Sequence, residues 1–452
     1  MSIFTGKRLD PEIFQIDAER MRRGWYSDEY FSNTVRILQT LAEEGYTFQG
    51  ETNLNSFDPR TVKNGDLVVE MQFFTRRKPF SLVAGVDEAL AILKYCAGYF
   101  ADDDTFVNTA DQLEVEAVHD GTFVSYEGNN LRVEPVLKVR GRYRDFACLE
   151  TPMLGVLTEA TRVATNVYEV LSAAGGKDVL FFPARFAHYK LQALHGYAYS
   201  LAVQAYNAQY GTNSQLIVST DDQGGWWGGK GGGTIAHASI ACFLGDAAET
   251  MLQFCRIMPV SIPRIALVDF HNDCVRDSLR VMTRLFTEYW QYYSQGDMDE
   301  AAKYKLAAVR LDTSGNMRDR SVPPLGKKEL DCGVNPRLVW IVREAIDKAY
   351  ENWSIPEEAR EVARDWCREV KIVATGGFDA ARIREFEELK VPVDIYGVGS
   401  ALLENSRANG TNNDYTADIV RIQIDGKWYP LAKVGRGAAT NPNLQPVDLL
   451  QL

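Results

Sequence analysis

Histidine and cysteine are scarce in this sequence, and acidic residues outnumber basic ones. Five histidines and seven cysteines occur in 452 residues, and no two cysteines form a Cys-x-x-Cys pair. Such scattered cysteines exclude a zinc site of the usual spacing and argue against a disulfide framework, so we expect reduced thiols. A formal net charge of -12 leaves no basic stripe for a phosphate backbone. We therefore expect no nucleic acid among the partners.

Long apolar segments without polar interruptions are also missing. Residues 191–220 contain no Asp, Glu, Lys or Arg, but Gln192, His195, Gln204 and Asn207 interrupt them. These side chains are costly in lipid, so the segment predicts a buried helix followed by a strand and no membrane span. The first residues, MSIFTGKRLDPEIF, show neither an apolar nor an Arg/Ser-rich targeting pattern. We expect a cytoplasmic protein with no membrane partner.

The pattern of the chain changes near residue 149. Residues 1–148 mix helical and strand periodicity, which predicts an α+β domain. Residues 149–405 contain short apolar runs, most of them followed by an amphipathic segment, as in parallel β/α units. The runs are DVLFFPAR, SQLIVSTDD, GTIAHA, RIALVDFHND, LAAVRLDTSG, VKIVATGGFD and VDIYGVGS. The pattern favours an α/β fold with an irregular (β/α) barrel, and an open doubly wound sheet is the alternative.

Residues 406–452 form a third region, with a hairpin signal. The stretch ADIVRIQIDGKWYPLAKVG alternates around Asp425-Gly426. An Asp-Gly pair between alternating segments is a strong signal for a two-residue β-turn. We expect this hairpin to return to the sheet of the first domain, so that C-terminal strands complete the N-terminal domain.

Charged residues and glycines gather at the predicted ends of the strands. The carboxyl ends of parallel barrel strands meet at one rim, where active sites lie. The rim is expected to collect Arg185, Asp221, Asp222, His237, Asp269, Asp273, Arg310, Asp312, Gly376, Gly377, Gly397 and Gly399. Arginines, aspartates and glycine turns suit a substrate that carries phosphates and a divalent cation. No second His or Cys stands at ligand spacing, so we expect Mg²⁺ held by carboxylates and substrate phosphates and no His/Cys metal site.

Three short motifs at this rim suggest individual roles. Arg310 and Asp312 alternate on one strand and so point to the same side of it, with a structural ion pair as the alternative. Phe182 offers an aromatic face for a flat ring, with a core position as the alternative, and Arg185 offers a guanidinium for phosphate or carboxylate. His237 is open to three roles, as a hydrogen-bonded core residue, an acid/base group or a phosphate acceptor.

The stretch GGKGGGTIAHAS, from Gly228 to Ser239, is the densest glycine cluster of the chain. It is not a P-loop, because Lys230 is followed by glycine and not by Ser or Thr. Glycines so closely spaced favour a backbone that approaches a ligand, and a flexible surface loop is the alternative.

In their order along the chain, these motifs resemble those of nicotinate phosphoribosyltransferases, and the match extends over nearly the whole chain. The matching pieces are SDEYF, RGRYRDFACLETPML, FFPAR, GTIAHASIACFLGD, ALVDF, AAVRLDTSG, VATGGFD and YGVGSAL. The resemblance implies an α/β N-terminal domain, an irregular α/β barrel and a homodimer with a site shared between subunits. It also implies phosphoribosyl transfer from phosphoribosyl pyrophosphate to nicotinate in NAD salvage, with Mg²⁺ and, in many members, ATP as cofactors.

The resemblance assigns roles to individual residues as well. His237 resembles the histidine that ATP phosphorylates, and Phe182 resembles the residue that stacks on the pyridine ring. Tyr30 resembles the aromatic residue that covers the other ring face from the partner subunit. The remaining similar positions are Thr234 in the Gly-Thr-x-Ala-His element, Arg185 as a phosphate contact, Arg310 and Asp312 near the base and ribose, and Gly376, Gly377, Gly399 and Ser400 at the turns that hold the 5′-phosphate.

Two departures from the family pattern leave details of the reaction open. Ser219-Thr220-Asp221-Asp222 stands where nicotinate enzymes carry Gly-Thr-Ser-Asn, and the related nicotinamide enzyme uses a Thr-Asp there. A carboxylate at this point would accept an amide N–H and repel nicotinate. The Gly-Thr-x-Ala-His element is of the nicotinate type, so nicotinate is favoured and nicotinamide is the alternative. Ala238 replaces a serine that often follows the histidine, which leaves ATP coupling open. A non-catalytic pyridine-nucleotide binding protein and a phosphohydrolase are the competing functions.

Overall fold

The computed structural model describes residues 6–452, and the first five residues of the segment inspected for a targeting pattern lie outside the described residues. The α-helices are α1 Ala18–Arg22, α2 Glu29–Glu43, α3 Val86–Cys96, α4 Glu150–Ala173, α5 Gln192–Tyr210, α6 His237–Cys242, α7 Ala247–Ile257, α8 Cys274–Tyr293, α9 Met298–Lys303, α10 Lys328–Asp331, α11 Pro336–Asp347, α12 Arg360–Arg368 and α13 Ala380–Glu388. Within residues 6–452, none of these helices is both long and apolar enough to cross a bilayer.

The β-strands are shorter than most of the helices. They are β1 Val68–Thr75, β2 Phe80–Leu82, β3 Gly98–Phe100, β4 Phe106–Asn108, β5 Glu114–Ala117, β6 Phe123–Ser125, β7 Leu137–Arg142, β8 Asp178–Phe181, β9 Ile265–Leu267, β10 Ala308–Leu311, β11 Lys371–Ala374, β12 Ile395–Val398, β13 Tyr415–Ile424, β14 Lys427–Pro430 and β15 Gln445–Val447.

The chain forms two compact units. Of the described residues, unit 1 comprises 6–168, Tyr197–Ala205 and Glu404–Leu452, and unit 2 comprises Glu169–Gly196 and Tyr206–Leu403. The units therefore divide within α4 and α5 and next to Glu404. The predicted domains 1–148, 149–405 and 406–452 divide where the sequence pattern changes.

Unit 1 is built around an antiparallel sheet in the order β14-β13-β1-β7-β5-β15. The central strand β1 pairs with β7 on one side and with β13 on the other, so that Val68 stands opposite Gln423 and Thr75 opposite Tyr415. The turn between β13 and β14 has positive φ at both Asp425 and Gly426, as a tight hairpin requires. The predicted return of the C-terminal hairpin to the sheet of the N-terminal domain is confirmed.

Helix α3 packs its apolar face on this sheet. Leu90 and Leu93 belong to the same buried cluster as Met71 and Phe73 of β1. The alternation of β1 explains the contact, because Met71 and Phe73 are two residues apart and point to one face. Seven of the eight residues of β1 are buried, which is expected of a strand at the centre of a sheet.

Glu88, in the first turn of α3, makes the stability of the protein depend on pH. Burial raises the pKa of its carboxyl from 4.5 to about 7, and its Oε2 has no hydrogen-bond partner among residues 6–452. As the pH rises through this range the unfolded chain releases a proton that the folded chain retains, so the free energy of unfolding falls. Burial also raises the pKa of Asp120 and of Glu150 to about 8, so we expect Glu88→Gln to remove only a part of this fall. Urea unfolding of the unsubstituted protein and of Glu88→Gln at pH 5 and pH 8 measures the fall. An equal fall in the free energy of unfolding of the two proteins would contradict the prediction.

Unit 2 contains a parallel sheet in the order β8-β12-β11-β10-β9. Two single parallel bridges extend it beyond β8, from Phe181 to Val218 and from Val218 to Gly231. Leu180, Ala308 and Val373 form an apolar cluster from three of its strands. The predicted α/β class, with an irregular barrel-like arrangement of parallel strands, is confirmed.

Two of the predicted strands are wrong. In SQLIVSTDD only Val218 pairs with neighbouring strands, and GTIAHA contains no strand and leads into α6. The pairing falls instead on Gly231, before the expected run. Glycine offers no side chain to pack against neighbouring strands and loses more conformational freedom than other residues when ordered. The glycine-rich segment therefore forms single bridges and no continuous strand.

Candidate active site

A cleft of about 470 Å³ opens at the carboxyl edge of the unit 2 sheet. Its walls come from residues that end or follow β8, β10, β11 and β12 and from the segment before α6. The predicted residues that line it are Phe182, Arg185, Thr234, Arg310, Asp312, Gly376, Gly377, Gly397, Gly399 and Ser400. The parallel strands bring these residues together because their carboxyl ends all lie at one edge.

Arg310 and Asp312 occupy one side of strand β10 and its extension. The hydroxyl of Thr375 lies 2.7 Å from Oδ1 of Asp312 and donates a hydrogen bond to it. Among residues 6–452, no carboxylate oxygen lies within ion-pair distance of Arg310, so the alternative of a structural ion pair is wrong. Burial lowers the pKa of Arg310, while Asp312 and Asp269 oppose this shift. The Nε–H of Arg310 is buried without an acceptor among the described residues, and so can bind an anionic group of a ligand.

The glycine turns after β11 and β12 bring backbone close to the cleft. Gly376 and Gly377 have φ of 92° and 74°, a region that L side chains rarely adopt. A Cβ at Gly399 would lie 2.7 Å from the ring of Phe186. Arg382 donates from Nη1 to the carbonyl oxygens of Gly376 and Gly377, at 3.0 and 3.1 Å, and so fixes the turn. Sequence reasoning missed Arg382, because an arginine in an amphipathic helix gives no signal of this kind.

Two phenylalanines and an arginine follow β8. Phe182 is anchored by its backbone N–H, which donates to the carbonyl oxygen of Val398 at 2.9 Å. Phe182 lines both the cleft and a second cavity of about 570 Å³, which extends to the amino ends of the parallel strands. The guanidinium of Arg185 lies 5.1 Å from the ring centre of Phe186. Phe186 is a second residue of the cleft that the sequence did not predict. This side of the cleft thus offers aromatic surface and one exposed cation.

His237 does not line the cleft itself, but it directly follows Ala236, which does. It is the first residue of α6, and its Nε2 lies 2.9 Å from Oδ1 of Asp269, which follows β9. The imidazole is 47% exposed and the carboxylate only 9%. Burial raises the pKa of Asp269, with His237 opposing and Asp312 adding to the shift. The pairing engages Nε2 and leaves Nδ1 without a partner among residues 6–452, so the group can act as an oriented acceptor or base.

Asp221 and Tyr30 are not part of the cleft wall. Oδ1 of Asp221 accepts a hydrogen bond from the backbone N–H of Gly231 at 2.9 Å, so this carboxylate closes the glycine-rich segment. Ser219 lines the cleft in its place. Tyr30 belongs to unit 1, is 60% exposed and donates its hydroxyl hydrogen to Asp28 at 3.0 Å. That hydrogen bond raises the pKa of Tyr30. Its role across a subunit interface stays a prediction.

Known proteins share sequence with this chain. Residues 52–161 match the family described as quinolinate phosphoribosyl transferase, N-terminal domain. The chain is 24% identical over 292 residues to nicotinate phosphoribosyltransferase pncB1 of Mycobacterium tuberculosis, and the match covers 65% of this chain and 51% of the relative. The resemblance to the nicotinate phosphoribosyltransferase family is confirmed. The chain matches about half the length of these curated relatives.

Solved structures share the fold of this chain. The nicotinate-nucleotide pyrophosphorylase of Pyrococcus furiosus superimposes with a TM-score of 0.60 at 23% identity, covering 94% of this chain and 80% of that one. Human nicotinic acid phosphoribosyltransferase superimposes with a TM-score of 0.53 at 16% identity, covering 88% and 74% of the two chains. At these identities the likeness concerns the fold.

Proposed function

We propose that the unit 2 cleft transfers the phosphoribosyl group of phosphoribosyl pyrophosphate to nicotinate, giving nicotinate mononucleotide and pyrophosphate in NAD salvage. The observation that carries the proposal is the convergence of Phe182, Arg310, Asp312 and two glycine turns on one cleft. This substrate pair requires an aromatic face for the base and a cation with a free N–H donor. It also requires a fixed carboxylate near the ribose and backbone turns that can bind phosphate. Sequence similarity to nicotinate phosphoribosyltransferases supports the same conclusion.

The chemistry needs no strong base in the cleft. The unprotonated pyridine nitrogen attacks C1 of the ribose, the bond from C1 to the pyrophosphate oxygen breaks, and C1 acquires oxocarbenium character in between. Asp312, oriented by Thr375, stabilises that positive charge. Phe182 would hold the flat ring, and Arg185 with the turns at Gly376 and Gly399 would hold phosphates.

Mg²⁺ fits this site as a companion of the substrate phosphates. Within residues 6–452 there is no group of three or more His, Cys, Asp or Glu that could hold a metal ion. Asp312 lines the cleft, and Asp269 pairs with His237, which directly follows Ala236 of the lining. Both supply carboxylate oxygens of the kind that Mg²⁺ accepts when phosphates complete its shell. When bound, the ion would neutralise charge on the leaving pyrophosphate.

The proposed enzyme is a homodimer in which Tyr30 of each subunit covers the base bound by the other. The aromatic ring is available for such a contact, since it is 60% exposed. The hydrogen bond from its hydroxyl to Asp28 holds the side chain in one orientation.

The proposal names nicotinate as the base, with nicotinamide as the alternative. The carboxylate of Asp221 is bound to Gly231 N–H and does not line the cleft, whereas the buried Nε–H of Arg310 lacks an acceptor among the described residues. A free cation favours the carboxylate of nicotinate over the neutral amide. Asp221→Ser should therefore leave the ratio of kcat/KM for nicotinate to that for nicotinamide unchanged within about threefold. Initial rates with both bases check it, and a strong shift towards nicotinate would show that Asp221 does contact the base.

His237 is proposed as the phosphate acceptor in an ATP-coupled cycle. Asp269 holds Nε2, which leaves Nδ1 as the nucleophile for the γ-phosphate. Incubation with γ-labelled ATP is expected to give an acid-labile label that His237→Ala abolishes. Ser239→Ala, in the same short helix, is the matched control and should keep the label. An acid-labile label that survives His237→Ala would reject this assignment.

Release of pyrophosphate tests the reaction itself. Incubation with phosphoribosyl pyrophosphate, Mg²⁺ and nicotinate should release it in step with nicotinate mononucleotide. Quinolinate is a second candidate base, favoured by the family match at residues 52–161, and nicotinamide is the third. Mononucleotide binding without turnover on any base would indicate a binding protein, and release of orthophosphate would indicate a phosphohydrolase. Either result would reject the proposal.

A further inference from the structure

Unit 1 contains a pocket of about 360 Å³ that shares no residue with the cleft of unit 2. Four of its lining residues are arginines, Arg22, Arg23, Arg36 and Arg144. We call it the arginine pocket. Such a concentration of cations is unexpected in a chain with a net charge of -12.

Aromatic rings hold three of these arginines in place. The guanidinium of Arg22 lies 4.5 Å from the ring centre of Phe106, and that of Arg23 lies 4.5 Å from Phe100. Arg144 stands 5.8 Å from the ring centre of Tyr99. Stacking on a ring uses the face of a guanidinium group and leaves its in-plane N–H groups able to donate hydrogen bonds. The rings themselves are occupied, so the pocket is built for an anion and not for a stacked base.

The charges of the arginine pocket are only partly compensated. Its two carboxylates are already paired, Asp104 with Arg23 at 3.1 Å and Asp145 with Arg142 at 2.9 Å. Arg22 donates its Nε–H to the carbonyl oxygen of Tyr95, and no carboxylate within residues 6–452 lies within ion-pair distance of it. The exposed guanidinium of Arg36 has no side-chain partner in the same part of the chain. Two positive charges therefore remain for a ligand.

Two neutral side chains, Ser32 and Gln39, and a buried arginine donor complete the lining. Ser32, Arg36 and Gln39 recur at helical spacing on α2 and so present one face to the pocket. The Nε–H of Arg144 is buried without an acceptor among the described residues, although another of its nitrogens binds Asp66 at 2.9 Å. A buried donor of this kind is costly unless a ligand or water supplies the missing acceptor.

We propose that the arginine pocket binds a small anion with two or more linked phosphoryl groups, of the size of inorganic pyrophosphate. Two uncompensated guanidinium groups match an anion with at least two separated charges, and bidentate arginine contacts suit phosphoryl oxygens. The residues that line the arginine pocket all lie in unit 1, and none of them lines the cleft of unit 2.

Cys148 supplies a local probe, since its thiol lines the arginine pocket and is partly exposed. Pyrophosphate should slow the labelling of Cys148 by N-ethylmaleimide, measured by peptide mass spectrometry, relative to sodium chloride of equal ionic strength. Cys242 of unit 2 is exposed and serves as the internal reference. Equal labelling of Cys148 with and without millimolar pyrophosphate would overturn the proposal.

Substitutions assign the effect to the pocket. Arg36→Gln and Arg22→Gln should each raise the half-protecting concentration of pyrophosphate about tenfold. Arg20→Gln removes the same charge from the same helix as Arg22 but lies outside the lining, and should change it less than twofold. Arg36 is exposed and has no side-chain partner in the described chain, so its substitution should not affect folding and decides the result if Arg22→Gln unfolds. Equal effects of Arg36→Gln and Arg20→Gln would reject the assignment.

Discussion

Asp312→Asn is expected to lower kcat for pyrophosphate release about a thousandfold, with a much smaller change in KM for phosphoribosyl pyrophosphate. The variant keeps the shape of the side chain, and its amide oxygen can still accept the hydrogen bond of Thr375. What it loses is the negative charge beside C1 of the ribose. That charge matters most when C1 becomes positive, so the loss falls on the transition state.

Asp222→Asn is the matched control for this substitution. Asp222 is exposed in the segment before the glycine cluster and does not line the cleft. The substitution Asp222→Asn removes the same charge as Asp312→Asn and should leave kcat within about twofold of that of the unsubstituted protein. Steady-state pyrophosphate release with nicotinate measures both variants. If Asp312→Asn folds normally and keeps more than about a tenth of the activity, the carboxylate does not stabilise the transition state.

Gly196→Ala is expected to destabilise the protein by about 3 kcal/mol or more. Gly196 lies in α5, and a Cβ there would come within 1.8 Å of the carbonyl oxygen of Gln223. Backbone cannot move aside as a side chain can, so either α5 or the segment around Gln223 must shift. That segment carries Ser219 into the cleft wall, hence activity should fall together with stability. Urea unfolding followed by circular dichroism measures the change.

Gly155→Ala separates steric overlap from the general effect of alanine in a helix. Gly155 lies in α4, where a Cβ would meet no heavy atom within 4 Å. Alanine at an open helical position is favoured over glycine, so this variant should gain about 0.5 to 1 kcal/mol. Shifts of the same sign in both variants would show that the close approach of Gln223 to Gly196 does not constrain the fold.

The strands of unit 2 could be predicted because they are buried on both faces. Strands β8, β10, β11 and β12 all lie within apolar runs, and such runs end where the chain leaves the sheet. Apolar runs do not predict the strand pairing at Val218 and in the residues that follow it. There the chain pairs through single residues whose position depends on glycine backbone and on the hydrogen bond from Gly231 to Asp221, neither of which has a periodicity.

The site was predictable to the extent that strand ends define it. Arg310, Asp312 and the glycine turns could be placed at one rim from their positions after apolar runs. Contacts between segments that are distant in the sequence could not be predicted in this way. The pairing of His237 with Asp269 spans 32 residues, and the hydrogen bond from Thr375 to Asp312 spans 63. The orientation of the Asp221 side chain could not be predicted from the sequence either. Its carboxylate accepts a hydrogen bond from the backbone N–H of Gly231, and this contact forms only when the loop is folded.

The position of β13 beside β1 imposes an order on synthesis. Residues 68–75 leave the ribosome long before residues 415–424, with which they pair. At ordinary translation rates the interval is on the order of half a minute, during which one edge of β1 has no partner strand. An apolar strand with an open edge is a template for pairing with other nascent chains. Early association with a chaperone, or early folding of the β7 side of the sheet, would therefore matter more for this chain than for one whose neighbouring strands are made together.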